Sequence, residues 1–299
     1  MIQLKKFQTT RISWLLLLFA VTFVPIYAQK TSVQNVKLNS KLMAREMPYR
    51  VVLPVDYEKA KDKRYPVIYL LHGLTGHFDN WTNNTKLAEY AARYNYIIVT
   101  PEGNDGWYTD SATVPTDKYE SYIIRELIPE VEKNYRALTD RNHRAIAGLS
   151  MGGYGSLKFG MKYPQMFVLA GSFSGALPAN SWSVKTLGNS GWKALVDSVT
   201  STFGDDDSQT RKDNDIYRFA KEITPEKVRE LPFLYLDCGT EDFLIQNNRD
   251  FQAILIEKKI PHEFRQLPGK HDWKFWDSQI QEFLELSERF MNISQAAAK

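Results

Sequence analysis

The chain has 299 residues, of which 43% are apolar and 13% are aromatic. This length and composition suffice for a sizeable core in one α/β domain or two smaller ones, and they exclude a disordered chain. Lysine and arginine number 38 against 35 aspartate and glutamate. Because no run of lysine or arginine interrupts this balance, we expect no nucleic-acid partner.

The first 28 residues have the pattern of a secretory signal peptide. Three basic residues precede an apolar stretch from Ile12 to Ala28, which ends in a small residue. The alternative is a membrane anchor, but the stretch is short for a bilayer span and is broken by Pro25. We therefore expect cleavage after Ala28, export to the periplasm or the medium, and no stable membrane anchor after cleavage.

Cys238 is the single cysteine. An exported chain with one cysteine is stable without an intramolecular disulfide, so its core has to suffice. Because Cys238 ends an apolar strand, we predict a small buried side chain there and not a nucleophile.

Two strands open the predicted fold. Alternating or continuous apolar residues predict strands at Val33 to Asn39 and at Tyr49 to Leu53, and Met47-Pro48 is predicted to separate them. We expect these strands to pair antiparallel at the edge of the sheet.

Continuous apolar strands then alternate with helices, which is typical of a mostly parallel sheet covered on both faces. Strands are predicted at Tyr65–Leu71, Tyr96–Thr100, Arg144–Gly148, Phe167–Ser172, Phe233–Asp237 and His262–Leu267. Helices are predicted at about Leu87–Arg93, Tyr119–Asn134, Met151–Lys162, Leu244–Lys258 and Trp273–Met291. The sequence thus predicts an α/β fold in which residues 29–299 form a single domain.

The segment from Leu177 to Glu230 interrupts this alternation. It contains two tryptophans, several glycines and serines and the acidic cluster 205–207, and it lacks the strand expected after a short interval. We interpret it as a cap-like excursion over the carboxyl ends of the strands, with a fold that its pattern does not predict.

The pentapeptide Gly148-Leu149-Ser150-Met151-Gly152 lies between an apolar strand and a helix. A serine at the tip of such a turn has strained backbone geometry, and glycines two residues to either side let neighbouring segments approach it. The following helix directs its amino terminus at the serine. We predict Ser150 to be a nucleophile and the Met151 amide to be an oxyanion donor.

A serine nucleophile needs a histidine base and a carboxylate that orients this base. In folds with such a turn the acid and then the histidine follow the serine along the chain. His262 opens a strand at the end away from Ser150, whereas His271 follows the carboxyl end of that strand. We therefore predict His271 to be the base.

Three carboxylates lie near the end of the preceding strand. Asp237 still belongs to the strand, and Glu241 and Asp242 follow it. We favour Asp242 as the catalytic acid, although it has a competing role as the cap of the next helix.

The second oxyanion donor should come from the loop after an early central strand. The Leu74 amide in His72-Gly73-Leu74 meets this requirement, because Gly73 lets the backbone turn. His72 has no partner at the spacing of metal ligands, so we predict a structural histidine.

With these residues in place, the chain resembles the esterase D group of α/β-hydrolases. Members of this group include S-formylglutathione hydrolases, mycolyl transferases, and feruloyl and acetylxylan esterases of carbohydrate esterase family 1. The resemblance covers nearly all of the chain after residue 28. Its most specific motifs are Leu71-His72-Gly73-Leu74, Gly148-Leu149-Ser150-Met151-Gly152-Gly153, Ala170-Gly171-Ser172-Phe173-Ser174-Gly175, Asp237-Cys238-Gly239-Thr240-Glu241-Asp242 and Gly269-Lys270-His271-Asp272-Trp273.

The resemblance implies a Ser150, Asp242 and His271 triad, oxyanion amides at Leu74 and Met151, and no metal or organic cofactor. It implies a serine esterase, and the export expected from residues 1–28 favours an enzyme that removes acetyl or feruloyl groups from glycans outside the cytosol. Four alternatives remain open: a broad short-chain esterase, a thioesterase like S-formylglutathione hydrolase, an acyltransferase to a sugar, and a binding module without catalysis.

Aromatic side chains offer flat surfaces for sugar or phenolic groups. Seven candidates are Trp81, Trp107, Tyr108, Trp182, Trp192, Trp273 and Trp276, and we expect two or three of them to line the cleft. Trp107 comes first because it follows a glycine-rich loop at the carboxyl end of a strand. Trp182 and Trp192 come next because they belong to the excursion.

Overall fold

A computed structural model describes residues 31–188 and 193–291. The predicted signal segment and Trp192 lie outside the described residues. In the described part of the chain, no helix is long and apolar enough to cross a membrane.

The fold is built on one eight-stranded sheet with the order β1-β2-β4-β3-β5-β6-β7-β8. The strands are β1 (Ser32–Ser40), β2 (Arg45–Leu53), β3 (Val67–Leu71), β4 (Ile97–Pro101), β5 (Arg144–Leu149), β6 (Leu169–Phe173), β7 (Phe233–Gly239) and β8 (His262–Leu267). β1 and β2 pair antiparallel, β2 runs antiparallel to β4, and every other neighbouring pair is parallel. The prediction of a mostly parallel sheet with an antiparallel edge is confirmed.

The boundary between the first two strands was predicted wrongly. The chain turns at residues 41–44, and Met47 and Pro48 lie inside β2. The Pro48 carbonyl accepts a hydrogen bond from the Glu102 amide at 3.1 Å, on the β4 side. Because the nitrogen and the carbonyl of one strand residue point to the same side, the missing N–H of Pro48 leaves the pairing with β1 intact.

Helices cover both faces of the sheet. Their bounds are α1 (Asn80–Asn84), α2 (Leu87–Ala91), α3 (Tyr119–Tyr122), α4 (Ile128–Asn134), α5 (Met151–Lys162), α6 (Val184–Leu187), α7 (Lys193–Phe203), α8 (Gln209–Lys212), α9 (Ile216–Glu222), α10 (Pro225–Val228), α11 (Ile245–Glu257) and α12 (Trp273–Phe290). A π-helical turn, Ile123–Leu127, joins α3 to α4. The predicted bounds of α5 are confirmed, whereas α1 was not predicted and α2 ends two residues early.

The core has two parts, one on each face of the sheet. On one face α1, α2 and α12 bury Trp81, Leu87 and Phe283. On the other face the buried side chains of α3, α4, α5 and α11 include Leu157 and Phe251. Strands β3 to β6 are buried throughout, so continuous apolar runs were the correct signal for them.

The excursion, residues 177–230, lies between β6 and β7, and its described residues contain the helices α6 to α10. α7 has 11 residues, and the others have seven or fewer. Val199, Phe203 and Ile216 are fully buried in the same core part as α5. The excursion is therefore packed on the sheet domain through its own apolar side chains.

Candidate active site

Ser150 stands in a tight turn between β5 and α5. Its backbone has φ 52° and ψ −113°, which is strained for a residue with a side chain. A Cβ atom on Gly148 would lie 2.5 Å from the Gly152 carbonyl oxygen, and one on Gly152 would lie 2.6 Å from the His72 carbonyl oxygen. Only glycine fits these two positions, as the pentapeptide predicted.

The structure brings the three predicted side chains together. The Ser150 Oγ lies 3.0 Å from His271 Nε2, and His271 Nδ1 lies 2.8 Å from Asp242 Oδ2. Ser150, Asp242 and His271 follow the carboxyl ends of β5, β7 and β8 in turn. Parallel strands place these ends at one edge of the sheet, which is where open α/β sheets bind ligands.

Asp242 has the geometry of an orienting acid. Its side chain is fully buried, and Oδ1 accepts a hydrogen bond from the Leu244 amide at 2.8 Å while Oδ2 faces His271. Burial alone would raise the pKa of Asp242, but the hydrogen bond and charge of His271 outweigh it and lower the pKa below its usual value. The predicted competing role as a helix cap is wrong, because α11 begins at Ile245 and its N-cap is Leu244, which has no side-chain cap. Asp242 instead accepts from the Leu244 amide before the helix begins.

The two other carboxylates do not reach His271 in this way. The Glu241 side chain is 60% exposed and lies 3.7 Å from Lys270. Asp237 is buried in β7, and burial raises its pKa well above the usual value. The contacts thus favour Asp242, as the position after the strand predicted.

The two predicted oxyanion donors belong to different segments. Met151 follows the serine along the chain, whereas Leu74 belongs to the loop after β3. Met151 is the first residue of α5, so its amide has no partner inside the helix. Gly73 packs against the serine turn, since a Cβ atom there would lie 3.4 Å from Ser150 Cβ. Leu74 lines the same cavity as Ser150, so its loop lies beside the serine turn.

The next residue along this loop is fixed by an aspartate. Thr75 has φ 59°, and its amide donates to Asp105 Oδ1 at 2.6 Å. A β-branched residue at positive φ is uncommon and needs such support. Asp105 thereby holds the turn that carries the Leu74 amide.

His72 is a structural residue. It is 1% exposed, its Nδ1 lies 2.7 Å from the Gly73 carbonyl, and its Nε2 accepts from the Gly103 amide at 2.9 Å. Burial alone would raise the pKa of neighbouring Glu102, but its contacts with His72 and with the amides of Asn104 and Phe78 lower it to about 2. His72 thus joins the Leu74 loop to the loop after β4.

Ser150 and His271 line a cavity of about 520 Å³. Its wall is mainly apolar and includes Leu74, Trp107, Trp182, Leu195, Phe243, Leu244, Trp273 and Trp276. Four of the six described aromatic candidates line it, which is more than the two or three expected. Trp182 is half-buried, whereas Trp107 is 1% exposed.

The loop that carries Trp107, residues 102–111, is held by a buried lysine. Asn104, Trp107 and Tyr108 have φ of 38°, 51° and 51°. Lys158 in α5 is fully buried, and its Nζ donates to the Tyr108 carbonyl at 2.6 Å and to Glu120 at 2.7 Å. Sequence analysis did not find this contact.

The segment that carries Trp182 is held by a buried arginine. Arg211 is 5% exposed, and its Nη1 donates to the carbonyls of Asn180 at 2.6 Å and Trp182 at 2.9 Å. Its other nitrogens donate to the carbonyls of Gly204 and Asp205. Sequence analysis missed this residue also.

Comparisons with known proteins agree with this architecture. A sequence model of the family described as "Putative esterase" matches residues 40–285. The acetyl esterase of Caldicellulosiruptor saccharolyticus is 29% identical over 255 residues, which are 83% of this chain and 95% of that protein.

Two solved structures share the fold. A ferulic acid esterase superposes with a TM-score of 0.74 at 28% identity, covering 88% of this chain and 99% of that chain. The fluorophosphonate-binding serine hydrolase F of Staphylococcus aureus superposes with a TM-score of 0.76 at 25% identity, covering 86% and 98%. The chain has the α/β-hydrolase fold, belongs to this esterase family and is a carboxylic-ester hydrolase.

Proposed function

We propose that the protein hydrolyses carboxylic esters through an acyl-enzyme on Ser150. The observation that carries this proposal is the chain of two hydrogen bonds, 3.0 Å from Ser150 Oγ to His271 Nε2 and 2.8 Å from His271 Nδ1 to Asp242 Oδ2. Both distances lie within the range that proton transfer and base orientation need.

In the acylation step, Ser150 Oγ attacks the ester carbonyl while His271 Nε2 takes the serine proton. The amides of Leu74 and Met151 donate to the oxyanion of the tetrahedral intermediate. The intermediate collapses when His271 returns the proton to the departing alcohol. Asp242 keeps His271 in the tautomer that has its proton on Nδ1 and stabilises the imidazolium.

In the deacylation step, water replaces the alcohol. His271 removes a proton from the water, the resulting hydroxide attacks the acyl carbonyl, and Ser150 leaves with the proton held by His271. The products are a carboxylic acid and the free enzyme. No metal or organic cofactor takes part in either step.

We propose acetyl or feruloyl esters of glycans as the substrates. The wall of aromatic rings around Ser150 suits a small or flat acyl group, and the similar proteins include an acetyl esterase and a ferulic acid esterase. We also propose export, on the signal pattern of residues 1–28. Amino-terminal sequencing of the mature protein should begin at Gln29.

Replacement of the nucleophile tests the mechanism. Ser150→Ala should lower kcat for p-nitrophenyl acetate by about 10⁴ to 10⁶ while the circular dichroism spectrum stays unchanged. A fluorophosphonate probe should label the wild-type protein and should not label this variant. Labelling that survives in Ser150→Ala would show that another residue is the nucleophile.

A matched pair of variants tests the acid. Asp242→Asn should lower kcat, by less than Ser150→Ala does, because neighbouring groups keep part of the orientation of His271. Glu241→Gln changes the adjacent, exposed carboxylate and should leave kcat near the wild-type value. If Glu241→Gln lowers kcat and Asp242→Asn does not, the catalytic acid is Glu241.

A panel of initial rates tests the substrate class. It comprises p-nitrophenyl acetate, butyrate and octanoate, methyl ferulate, acetylated xylan and S-formylglutathione. The proposal expects the highest kcat/KM on the acetyl and feruloyl esters. A preference for octanoate or for S-formylglutathione would replace the glycan-ester proposal by a broad esterase or a thioesterase.

A further inference from the structure

A second cavity, which we call the polar groove, adjoins the cavity that holds Ser150. Its volume is about 880 Å³, against about 520 Å³ for the Ser150 cavity. Thr75 and Gly76 line both cavities, so one turn of backbone separates them. A substrate longer than the Ser150 cavity would have to extend across this turn to reach the polar groove.

Polar side chains line the groove. They include Arg45, His77, Asn104, Asp105, Asp117 and Asp197. Arg45 pairs with Asp117 at 2.9 Å, so these two charges cancel. The remaining two aspartates decide the charge of the groove.

Neither remaining aspartate has a buried cation beside it. Asp105 is exposed, accepts from the Thr75 amide and forms no ion pair with any described residue. Asp197 pairs with Lys193, which is mostly exposed and does not line the groove, so three aspartates stand against Arg45 among the charged side chains of the lining. The groove therefore carries an excess of negative charge next to the reaction centre.

The Ser150 cavity has the opposite character. Trp182, Leu195 and Phe243 belong to its mainly apolar wall, and among the described residues Asp272 is the one carboxylate that lines it. An ester with an apolar acyl group and a hydroxyl-rich alcohol has two halves that match these two surfaces. The acyl half suits the Ser150 cavity, and the alcohol half suits the polar groove.

We propose that the polar groove binds the alcohol portion of the ester and selects uncharged, hydroxyl-rich alcohols over anionic ones. The proposal rests on the proposed function, because it assumes that Ser150 cleaves an ester. Sugar hydroxyls donate hydrogen bonds to the carboxylates of Asp105 and Asp197, and charge-assisted bonds of this kind are strong. A carboxylate or phosphate on the alcohol is repelled by the same two groups.

Two acetyl esters that differ by one carboxylate test the selection. Methyl 4-O-acetyl-xyloside and methyl 4-O-acetyl-glucuronoside carry the same acyl group, and the second adds a carboxylate at C5. At low salt, kcat/KM should be roughly 5- to 10-fold higher for the xyloside, and the ratio should shrink as salt screens the charges. The rate on p-nitrophenyl acetate, which has no sugar, serves as the reference.

A variant and its matched control test whether the preference between the two esters arises in the polar groove. Asp197→Asn removes one charge from the groove and should raise kcat/KM for the glucuronoside by roughly 2- to 5-fold. Asp206 belongs to the same excursion and pairs with exposed Lys185, but it does not line the groove. Asp206→Asn should therefore leave the ratio of the two esters unchanged.

Binding of the intact esters to Ser150→Ala measures the selectivity of the groove without hydrolysis. Calorimetry should show tighter binding of the xyloside than of the glucuronoside, and Asp197→Asn should reduce the difference. Equal affinity and equal kcat/KM for both esters would overturn the groove proposal. Selective binding without any hydrolysis by the wild-type protein would instead overturn the proposed function.

Discussion

Two segments each supply a tryptophan to the cavity of Ser150, and each is held by one buried cation. The loop at residues 102–111 carries Trp107 and is held by Lys158, whereas the excursion carries Trp182 and is held by Arg211. The two rings meet at a centroid distance of 5.9 Å. The segments differ in where the cation comes from and in what balances its charge.

Lys158 belongs to α5, the helix that begins beside Ser150, and it is balanced by the buried carboxylate of Glu120. Arg211 belongs to the excursion itself and donates to main-chain carbonyls. The loop is thus held by a cation of the helix of the nucleophile, while the cation that holds Trp182 lies within the excursion. The excursion also contacts α5, because the Tyr154 hydroxyl donates to the Asn214 carbonyl at 2.8 Å.

Removal of the loop cation should have the largest effect on stability. Lys158→Met leaves Glu120 with one lysine fewer and the Tyr108 carbonyl without its donor, and loss of one partner of a buried ion pair costs about 3 to 5 kcal/mol. Urea unfolding measures the free energy. Lys162 also contacts Glu120, at 2.6 Å, but is partly exposed, so Lys162→Met is the control and should cost less. Equal losses in the two variants would show that burial does not distinguish them.

Low pH should weaken the ion pair between Lys158 and Glu120 that helps to hold the loop at residues 102–111. Burial alone would raise the pKa of Glu120, but Lys158 and Lys162 outweigh it and lower this pKa from 4.5 to about 2. A carboxylate with a lowered pKa in the folded state stabilises fully above pH 4.5, and this contribution is lost as the pH falls towards 2. At about 1.4 kcal/mol per pKa unit, the contribution is on the order of 3 kcal/mol.

The difference in unfolding free energy between the wild-type protein and Glu120→Gln isolates this contribution. We expect the difference to shrink between pH 5 and pH 3. Glu222→Gln, an exposed change in the excursion, is the control and should change the unfolding free energy little. A constant difference for Glu120→Gln would mean that the carboxylate does not titrate in this range.

Removal of the excursion cation should cost less than removal of the loop cation. Arg211→Met leaves buried carbonyls without donors, at about 1 to 3 kcal/mol of unfolding free energy. Hydrogen exchange should increase in residues 177–230 and stay unchanged in α5, since Arg211 braces the excursion from within. Increased exchange in α5 would show that the excursion also supports the helix of the nucleophile.

The sequence predicted the residues that local motifs and strand ends determine. Ser150, Asp242 and His271 were found because each follows the carboxyl end of an apolar strand, and parallel strands bring these ends together. Lys158 could not be found in this way. It lies in a helix whose pattern does not single it out, and its partner Glu120 is 38 residues away. Arg211 lies in α8, a helix of four residues, which is too short to show a helical period.

The smallest expected effect concerns selectivity at Trp182, which the internal support of the excursion holds at the cavity. If this ring stacks on aromatic acyl groups, Trp182→Ala should lower kcat/KM for methyl ferulate more than for p-nitrophenyl acetate. A stacking contact is worth about 0.5 to 1.5 kcal/mol, which corresponds to a change of about 2- to 12-fold in the ratio of the two values. Ser181→Ala changes an exposed neighbour that does not line the cavity, so it should leave the ratio unchanged. Equal losses on both esters after Trp182→Ala would mean that the ring only supports the excursion, and selectivity would then have to come from the wall formed by Phe243 and Trp273.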